Sequence, residues 1–470
     1  MRTMKCALVG MMAMAMIAAM GCNSTSVPPA DTTTTSGETT TTISTTSTTD
    51  GEGDSTLNTT TIKTPQTTAV TTAATTVPTS VAYASVSESP LSNTYKLLTT
   101  GEKKLTIGYL GGSITLGSSA AQNGGNISQS WVNRTSAWFQ AQYPEATIET
   151  VNAGISDTAT NFGLLRLEQT LMNADGHDMP DLVFVEFTTN DWIYETQTAE
   201  DLKRQAESLV RNIYAINPLV EIVIVSTVRK EDAASRLAYE AVGKHYHLPV
   251  VDVGIPLQKL MDGRGHAAES NGNFYYTVDN LHPSYRGYEV YFSEIEKELK
   301  KHLNGLQLKS ERLYHYGANL PAAKFDGLWF KPALIAEDNM TVSGNAAKLS
   351  VPLYSSMYGT QLHPQTTPVV TTHWKVSGVA AVTADFSGAA LGVIFGMNSS
   401  DIQLRYRIDG GAWQLFKVDK DNFSFQQYDH TQVFILAQGL EAKEHTVQIS
   451  FVPTTSQSNI RFGGLFEGGM

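Results

Sequence analysis

Two nearly unbroken apolar runs constrain this chain more than any other feature. Leu182-Val183-Phe184-Val185-Glu186-Phe187 and the run from Val220 to Val228 leave almost no position to face water. A strand with one wet face alternates polar and apolar residues. A strand that does not alternate is buried on both faces, as in a parallel sheet covered by helices. Lys104–Leu110, Ala146–Val151 and Leu248–Val253 read as further strands. Helical spacing appears over Trp131–Tyr143, through Trp131, Thr135, Trp138 and Phe139, and again over Ala199–Ala215. A long last helix runs from about Ser284 to Leu303, with Asn304-Gly305 as its stop. Strands separated by helices imply an α/β domain with a parallel sheet.

Ligands of such sheets sit at the carboxyl ends of the strands, so the residues just after each strand carry the functional reading. The first strand is followed by Gly111-Gly112-Ser113-Ile114-Thr115. Ser113 is either a helix N-cap or a nucleophile on a sharp turn. It is not the G-x-S-x-G elbow, because Thr115 stands where that motif has Gly. The second is followed by Asn152-Ala153-Gly154, where Gly154 is a turn residue or a backbone donor. After the third comes Thr188-Thr189-Asn190-Asp191, with Asn190 a cap or an oxyanion ligand. Late in the chain lies Asp279-Asn280-Leu281-His282-Pro283, and His282 is the only one of eleven histidines with an Asp three residues earlier. Ser, His and Asp together form an acyl-transfer constellation. Backbone N–H groups and an Asn amide would stabilise its oxyanion.

These four blocks, in this order over Leu105–Leu303, resemble the SGNH (GDSL) hydrolase superfamily. Ser113, Gly154, Asn190 and the Asp279/His282 pair stand at the matching positions. The resemblance implies a flavodoxin-like three-layer α/β/α fold. It implies Ser113 as nucleophile, His282 as base and Asp279 as its orienting acid. It also implies an oxyanion hole from the N–H groups of Ser113 and Gly154 and the side chain of Asn190. Gly112 replaces the usual Asp before the nucleophile, and Thr188 replaces a Gly two before Asn190. Gly-Gly-Ser-Ile-Thr with Glu-Phe-x-x-Asn-Asp looks like one recurring subgroup, resembling carbohydrate acetylesterases.

Other candidates carry less. His245 and His247 lie near Asp252 in sequence, but with no Cys or H-E-x-x-H pattern they do not make a metal site. Trp192 lines the cleft or packs in the core. Glu186 reads as a buried polar group with a structural partner, and Asp191 as a loop support. No cofactor is implied.

From about Ser310 helical spacing gives way to short alternating runs. Ile402–Ile408, Asp409-Gly410-Gly411 and Ala412–Val418 read as a hairpin, and Thr446–Phe451 as a late strand. An all-β sandwich or jelly roll is expected. Similar modules accompany carbohydrate-acting members of the superfamily. Trp329, Trp374 and Trp413 are candidates for sugar stacking or for its core.

The N-terminus is address and tether. Met1–Lys5 is basic, Cys6–Met20 is nearly all apolar, and Ala19-Met20-Gly21-Cys22 resembles the lipobox of bacterial lipoproteins. That resemblance implies cleavage before Cys22 and lipidation of its sulfur. Cys6 and Cys22 are the only cysteines, which leaves no disulfide framework in the body. Asn23–Ser80 holds 25 Thr among 58 residues, too few apolar groups to offset ordering entropy. It reads as a stalk. The net charge of −12 argues against nucleic acid as a partner.

The expected organisation is a signal peptide over 1–22, a stalk over 23–90, an SGNH domain over 91–308 and a β-domain over 309–470. The expected function is a lipid-anchored serine esterase that removes O-acetyl groups from a polysaccharide, touching the membrane only through its anchor. A non-catalytic surface glycan-binding protein, an O-acyltransferase and a peptidoglycan O-acetylesterase remain as alternatives.

Overall fold

The computed structural model describes residues 82–85, 87–193, 198–264, 275–325, 329, 331–351, 370–397, 402–418, 430–452 and 460–469. The signal sequence, Cys22 and the Thr-rich segment lie outside the described residues.

Five parallel strands form the first sheet: β1 (Lys104–Gly111), β2 (Thr147–Gly154), β3 (Leu182–Glu186), β4 (Glu221–Ser226) and β5 (Val250–Asp252). Their order is β2-β1-β3-β4-β5, the flavodoxin-like arrangement. The apolar runs explain its two faces. Leu182, Phe184, Val223 and Val225 pack on one side with Trp131, Phe139, Tyr288 and Leu299 from the helices Trp131–Gln142 and Tyr285–Leu303. Val183, Val185, Ile222 and Ile224 pack on the other with Phe162, Leu209, Ile213 and Tyr239 from the helices Thr160–Leu167, Ala199–Ile216 and Ala234–Tyr246. Alternate residues of one strand thus enter two different cores, so polar residues stand only at the ends of β3 and β4, as Glu186, Glu221 and Ser226.

The sequence places the last helix within one residue: Ser284 is its N-cap, and its hydroxyl accepts from the Gly287 N–H. The second strand runs further than its apolar pattern, through Asn152 and Ala153 to Gly154, because pairing with β1 continues to Gly111. Backbone pairing here overrides side-chain polarity.

The C-terminal part is all-β, as expected. Its strands are β6 (Ala333–Leu334), β7 (Met340–Leu349), β8 (His373–Met397), β9 (Ile402–Ile408), β10 (Gln414–Val418), β11 (His430–Phe451) and β12 (Ile460–Gly468). All belong to one seven-stranded sheet. β12 borders β8 twice, at Trp374–Val376 and at Ala390–Gly396, so the long strand turns back and encloses its own core. The β9–β10 hairpin pairs as anticipated, and its turn residues Asp409 and Gly410 have positive φ, at 51° and 70°. Trp329 and Trp374 are buried against Phe466 and Phe462, whereas Trp413 is exposed with Arg407 over its ring.

The switch to β-structure comes later than Ser310. Residues 314–325, 329 and 331 bond back onto the α/β domain. Glu207 accepts from the N–H groups of Lys324 and Phe325 at 2.7 and 2.8 Å. Asn212 bonds Trp329 O and Lys331 N, both at 2.7 Å, and Tyr316 donates to Glu221 at 2.7 Å. These buried polar side chains find much of their hydrogen bonding in groups distant in sequence. Residues placed in the expected stalk also join this body: Ala84 bridges Tyr314, and Ser87 Oγ lies 2.9 Å from Tyr316 OH.

Candidate active site

The carboxyl ends of β1, β2 and β3 bring three of the four blocks together. Ser113 opens a single helical turn, Ser113–Leu116, directly after β1. Two buried donors hold the carbonyl of Ile114: Trp131 Nε1 at 3.2 Å and Tyr288 OH at 3.0 Å. The nucleophile turn is therefore gripped by the first and last helices of one face.

The fourth block reaches across. Val278 N donates to His282 O and Ser284 N to Tyr276 O, closing a tight loop over Tyr276–Ser284. Asn280 takes φ 64° at its tip, and Arg229 donates to Asn280 O. Inside the loop Asp279 Oδ1 accepts from the N–H groups of Leu281 and His282, at 2.9 and 2.7 Å. Its Oδ2 lies 2.6 Å from His282 Nδ1, and His282 Nε2 lies 2.7 Å from Ser113 Oγ. The chain Asp279–His282–Ser113 is complete.

Electrostatics support its use. Burial alone would raise the Asp279 pKa, but the charge and hydrogen bonds of His282 and the N–H of Leu281 outweigh it and hold the group at about 2. His282 is buried, which lowers its pKa. Asp279, with Asp157 and Glu186 further off, outweighs burial and leaves the imidazole above its ordinary value.

The oxyanion side is tightly built. A Cβ on Gly112 would lie 2.5 Å from Asn190 Oδ1, and one on Gly154 would lie 2.3 Å from Leu116 N. Both positions need glycine because side chain and backbone approach them closely. Asn190 stands in the helix Thr188–Ile193, buried, with no hydrogen bond of its carboxamide among the described residues. It is free to serve an incoming oxyanion. Gly154 departs from expectation: its N–H donates to Asn152 Oδ1 at 2.9 Å, so this donor is already engaged. A cleft of about 150 Å³ is bordered by Thr189, Trp192, Val228, Arg229, Gln258 and Leu281, next in sequence to Asn190 and His282 but not lined by them.

The remaining candidates fall as structural residues. Asp191 caps the helix Thr160–Leu167, accepting from Thr160 N at 2.9 Å and Thr160 Oγ1 at 2.6 Å. His245 Nε2 bonds Ala322 O, His247 is a left-handed helix cap, and Asp252 pairs with Arg236.

Sequence reasoning missed the contribution of the β-domain. The loop after Gly154 is held from β11: Gln432 Nε2 donates to Asp157 O at 2.8 Å and Asn161 Nδ2 to Val433 O at 2.6 Å. Asp157 sits at φ 58° under this brace, and Ala159 enters the β-domain core. The signal was a buried-type Gln within the apolar run Val433-Phe434-Ile435-Leu436 and its flank. Gln432→Ala removes this bond to the Asp157 carbonyl and should cost about 0.5–1.5 kcal/mol of stability. Denaturant unfolding of the full chain checks this; an unchanged midpoint would remove the brace.

Ser113 Oγ, the His282 imidazole and the half-buried Asp279 carboxylate form one hydrogen-bonded chain at the carboxyl end of a flavodoxin-like sheet, the arrangement that acyl transfer by an activated hydroxyl requires. Residues 109–290 match the GDSL-like Lipase/Acylhydrolase family, so the α/β part of the chain carries a domain of that kind. No curated protein sequence matches. Among solved structures, a two-domain esterase active on acetylated mannans is similar, with TM-score 0.64 and 22% identity over 82% of this chain and 96% of that one. The same enzyme crystallised with mannopentaose gives TM-score 0.61 and 21% identity, over 81% and 94%. An acetyl xylan esterase from Geobacillus stearothermophilus is 20% identical, covering 44% of this chain and 97% of its own, with TM-score 0.31.

Proposed function

We propose that this protein is an exported, lipid-anchored serine esterase that removes O-acetyl groups from a polysaccharide. The observation that carries the chemistry is the Ser113–His282–Asp279 chain at 2.7 and 2.6 Å. Ser113 Oγ attacks the ester carbonyl while its proton passes to His282 Nε2. The tetrahedral oxyanion meets the Ser113 N–H and the Asn190 amide, and Gly154 N–H joins them if Asn152 yields it. His282 then gives the proton to the departing sugar hydroxyl, leaving an acetyl-enzyme. Water, deprotonated by the same imidazole, releases acetate.

The substrate class rests on a likeness that spans both domains of an esterase active on acetylated mannans. The address rests on the sequence. Cys22 would carry lipid on the outer face of a bacterial membrane, and about 60 Thr-rich residues would span roughly 40–50 Å.

Acetate release from acetylated mannan, xylan, pectin and peptidoglycan tests this reading. Release from a glycan is expected, with mannan foremost. Turnover of an aryl acetate with no release from any of the four would overturn the polysaccharide assignment. Transfer of acetyl to an added oligosaccharide without free acetate would identify an acyltransferase instead.

A further inference from the structure

Arg166 is wholly buried, and no carboxylate lies within ion-pair distance of it among the described residues. Its acceptors are neutral. Nη1 donates to Ala153 O at 2.6 Å and to Thr170 Oγ1 at 3.1 Å, and Nη2 donates to Gly111 O at 2.9 Å. Burial lowers its pKa to about 9, which leaves it charged at neutral pH. An unpaired cation in a core is costly, so its position calls for a reason.

That position is behind the reacting centre. Gly111 O ends β1 two residues before Ser113, and Ala153 O belongs to the peptide whose N–H is that of Gly154. In a trans peptide C=O and N–H point in opposite directions. Anchoring both carbonyls on one guanidinium therefore fixes the orientation of both peptides, with the Gly112 N–H on Glu186 and the Gly154 N–H on Asn152 Oδ1. Gly112 N–H, on the far side of the Gly111 peptide, donates to the buried Glu186 carboxylate, which also accepts from Thr115 Oγ1 at 2.8 Å and Thr227 Oγ1 at 2.7 Å. The peptide Gly111–Gly112 is thus clamped between a buried cation and a buried carboxylate. Hydrogen bonds in such a chain polarise one another.

We propose that Arg166 is a positioning residue of the acyl-transfer step: it locks the two turns that carry Ser113 and Gly154 and supplies the fixed positive charge against which the oxyanion forms. The inference rests on the esterase reading. A preorganised charge of this kind stabilises the transition state more than the bound ester. Its loss should therefore fall on kcat rather than on KM.

Labelling of the full chain by a fluorophosphonate follows the step without any glycan. Ser113 Oγ attacks phosphorus, the P–F bond breaks, fluoride leaves and the hydroxyl proton passes to His282. Arg166→Met should label about 10–100 times more slowly, below the effect of a direct oxyanion donor. Its kcat on an aryl acetate should fall by the same factor, with KM nearly unchanged. Arg166→Lys, which keeps the charge but not the fork, should lie between. A folded Arg166→Met protein that labels at the wild-type rate overturns the proposal. If the Met variant does not fold, a Lys variant labelling at the wild-type rate overturns it, and failure of both to fold assigns Arg166 to the core alone. The esterase reading fails separately, if the wild type is not labelled or Ser113→Ala labels equally.

Discussion

Ser113→Ala should lower aryl-acetate turnover by about 10⁴–10⁶-fold while leaving the unfolding midpoint nearly unchanged. The size follows from what is removed. Among the described residues Ser113 Oγ is the only nucleophilic atom bonded to His282 Nε2. Without it no acyl-enzyme forms, and catalysis falls back on water activated by His282 near the Asn190 amide. The stability side follows from exposure. Ser113 is half-buried, so losing its hydroxyl opens no cavity in a sealed core. His282 keeps its bond to Asp279, so the loop Tyr276–Ser284 stays closed. Kinetics on an aryl acetate and circular dichroism of the same sample check both halves. A variant that kept full turnover would remove Ser113 from the chemistry and, with it, the function proposed here.

What was legible in the sequence was what short-range chemistry writes. The runs Leu182–Phe187 and Val220–Val228 announce strands buried on two faces, because each residue must satisfy the core on its own side. Asp279 and His282 sit three residues apart on one loop, so their pairing is local. Long-range partners leave fainter marks. Glu207, Asn212 and Glu221 look like ordinary polar positions on a helix and a strand edge, yet their partners include backbone groups and the Tyr316 hydroxyl about a hundred residues away. Arg166 carried a signal that periodicity alone does not weigh, a single charge within Phe162-Gly163-Leu164-Leu165-Arg166-Leu167. Placing a guanidinium under the ends of β1 and β2 requires knowing which helix returns to which strand. The same holds for Gln432, whose strand meets the loop Asp157–Asn161 only after the whole β-domain has folded.

That brace changes how the two folded parts relate. Apolar packing runs without a break from Phe162 and Leu209 through Trp329 to Ala390, Ile394, Val433 and Phe466. The β-domain is therefore built into the catalytic domain on the side of the Gly154 loop. A separate binding module on a free linker would not share a core in this way.

Asp279→Asn should lower kcat by about 10³–10⁴-fold and move the acid limb of the pH profile downward. Two effects combine, and they can be told apart. The first is tautomeric. Asp279 Oδ2 accepts from His282 Nδ1 at 2.6 Å, while Oδ1 is already held by the N–H groups of Leu281 and His282. In the variant the carboxamide oxygen must stay with those two N–H donors. Its NH2 then faces Nδ1, which has to become the acceptor. The imidazole proton is driven to Nε2, where it blocks transfer from Ser113. The second effect is electrostatic. In the wild type His282 lies above its ordinary pKa, because Asp279 outweighs the opposing effect of burial. The base works only when neutral, so wild-type activity rises with pH through a value above 6.5. Without the carboxylate, burial dominates and the imidazole loses its proton at lower pH. The expected result is a profile that is lower at every pH yet keeps a larger share of its maximum in acid. A plain loss of structure would lower the curve without shifting it. A profile from pH 4 to 9 on an aryl acetate, with Asp279→Glu alongside to restore the charge and part of the rate, decides between them. An unshifted acid limb would mean that Asp279 orients the ring without setting its charge.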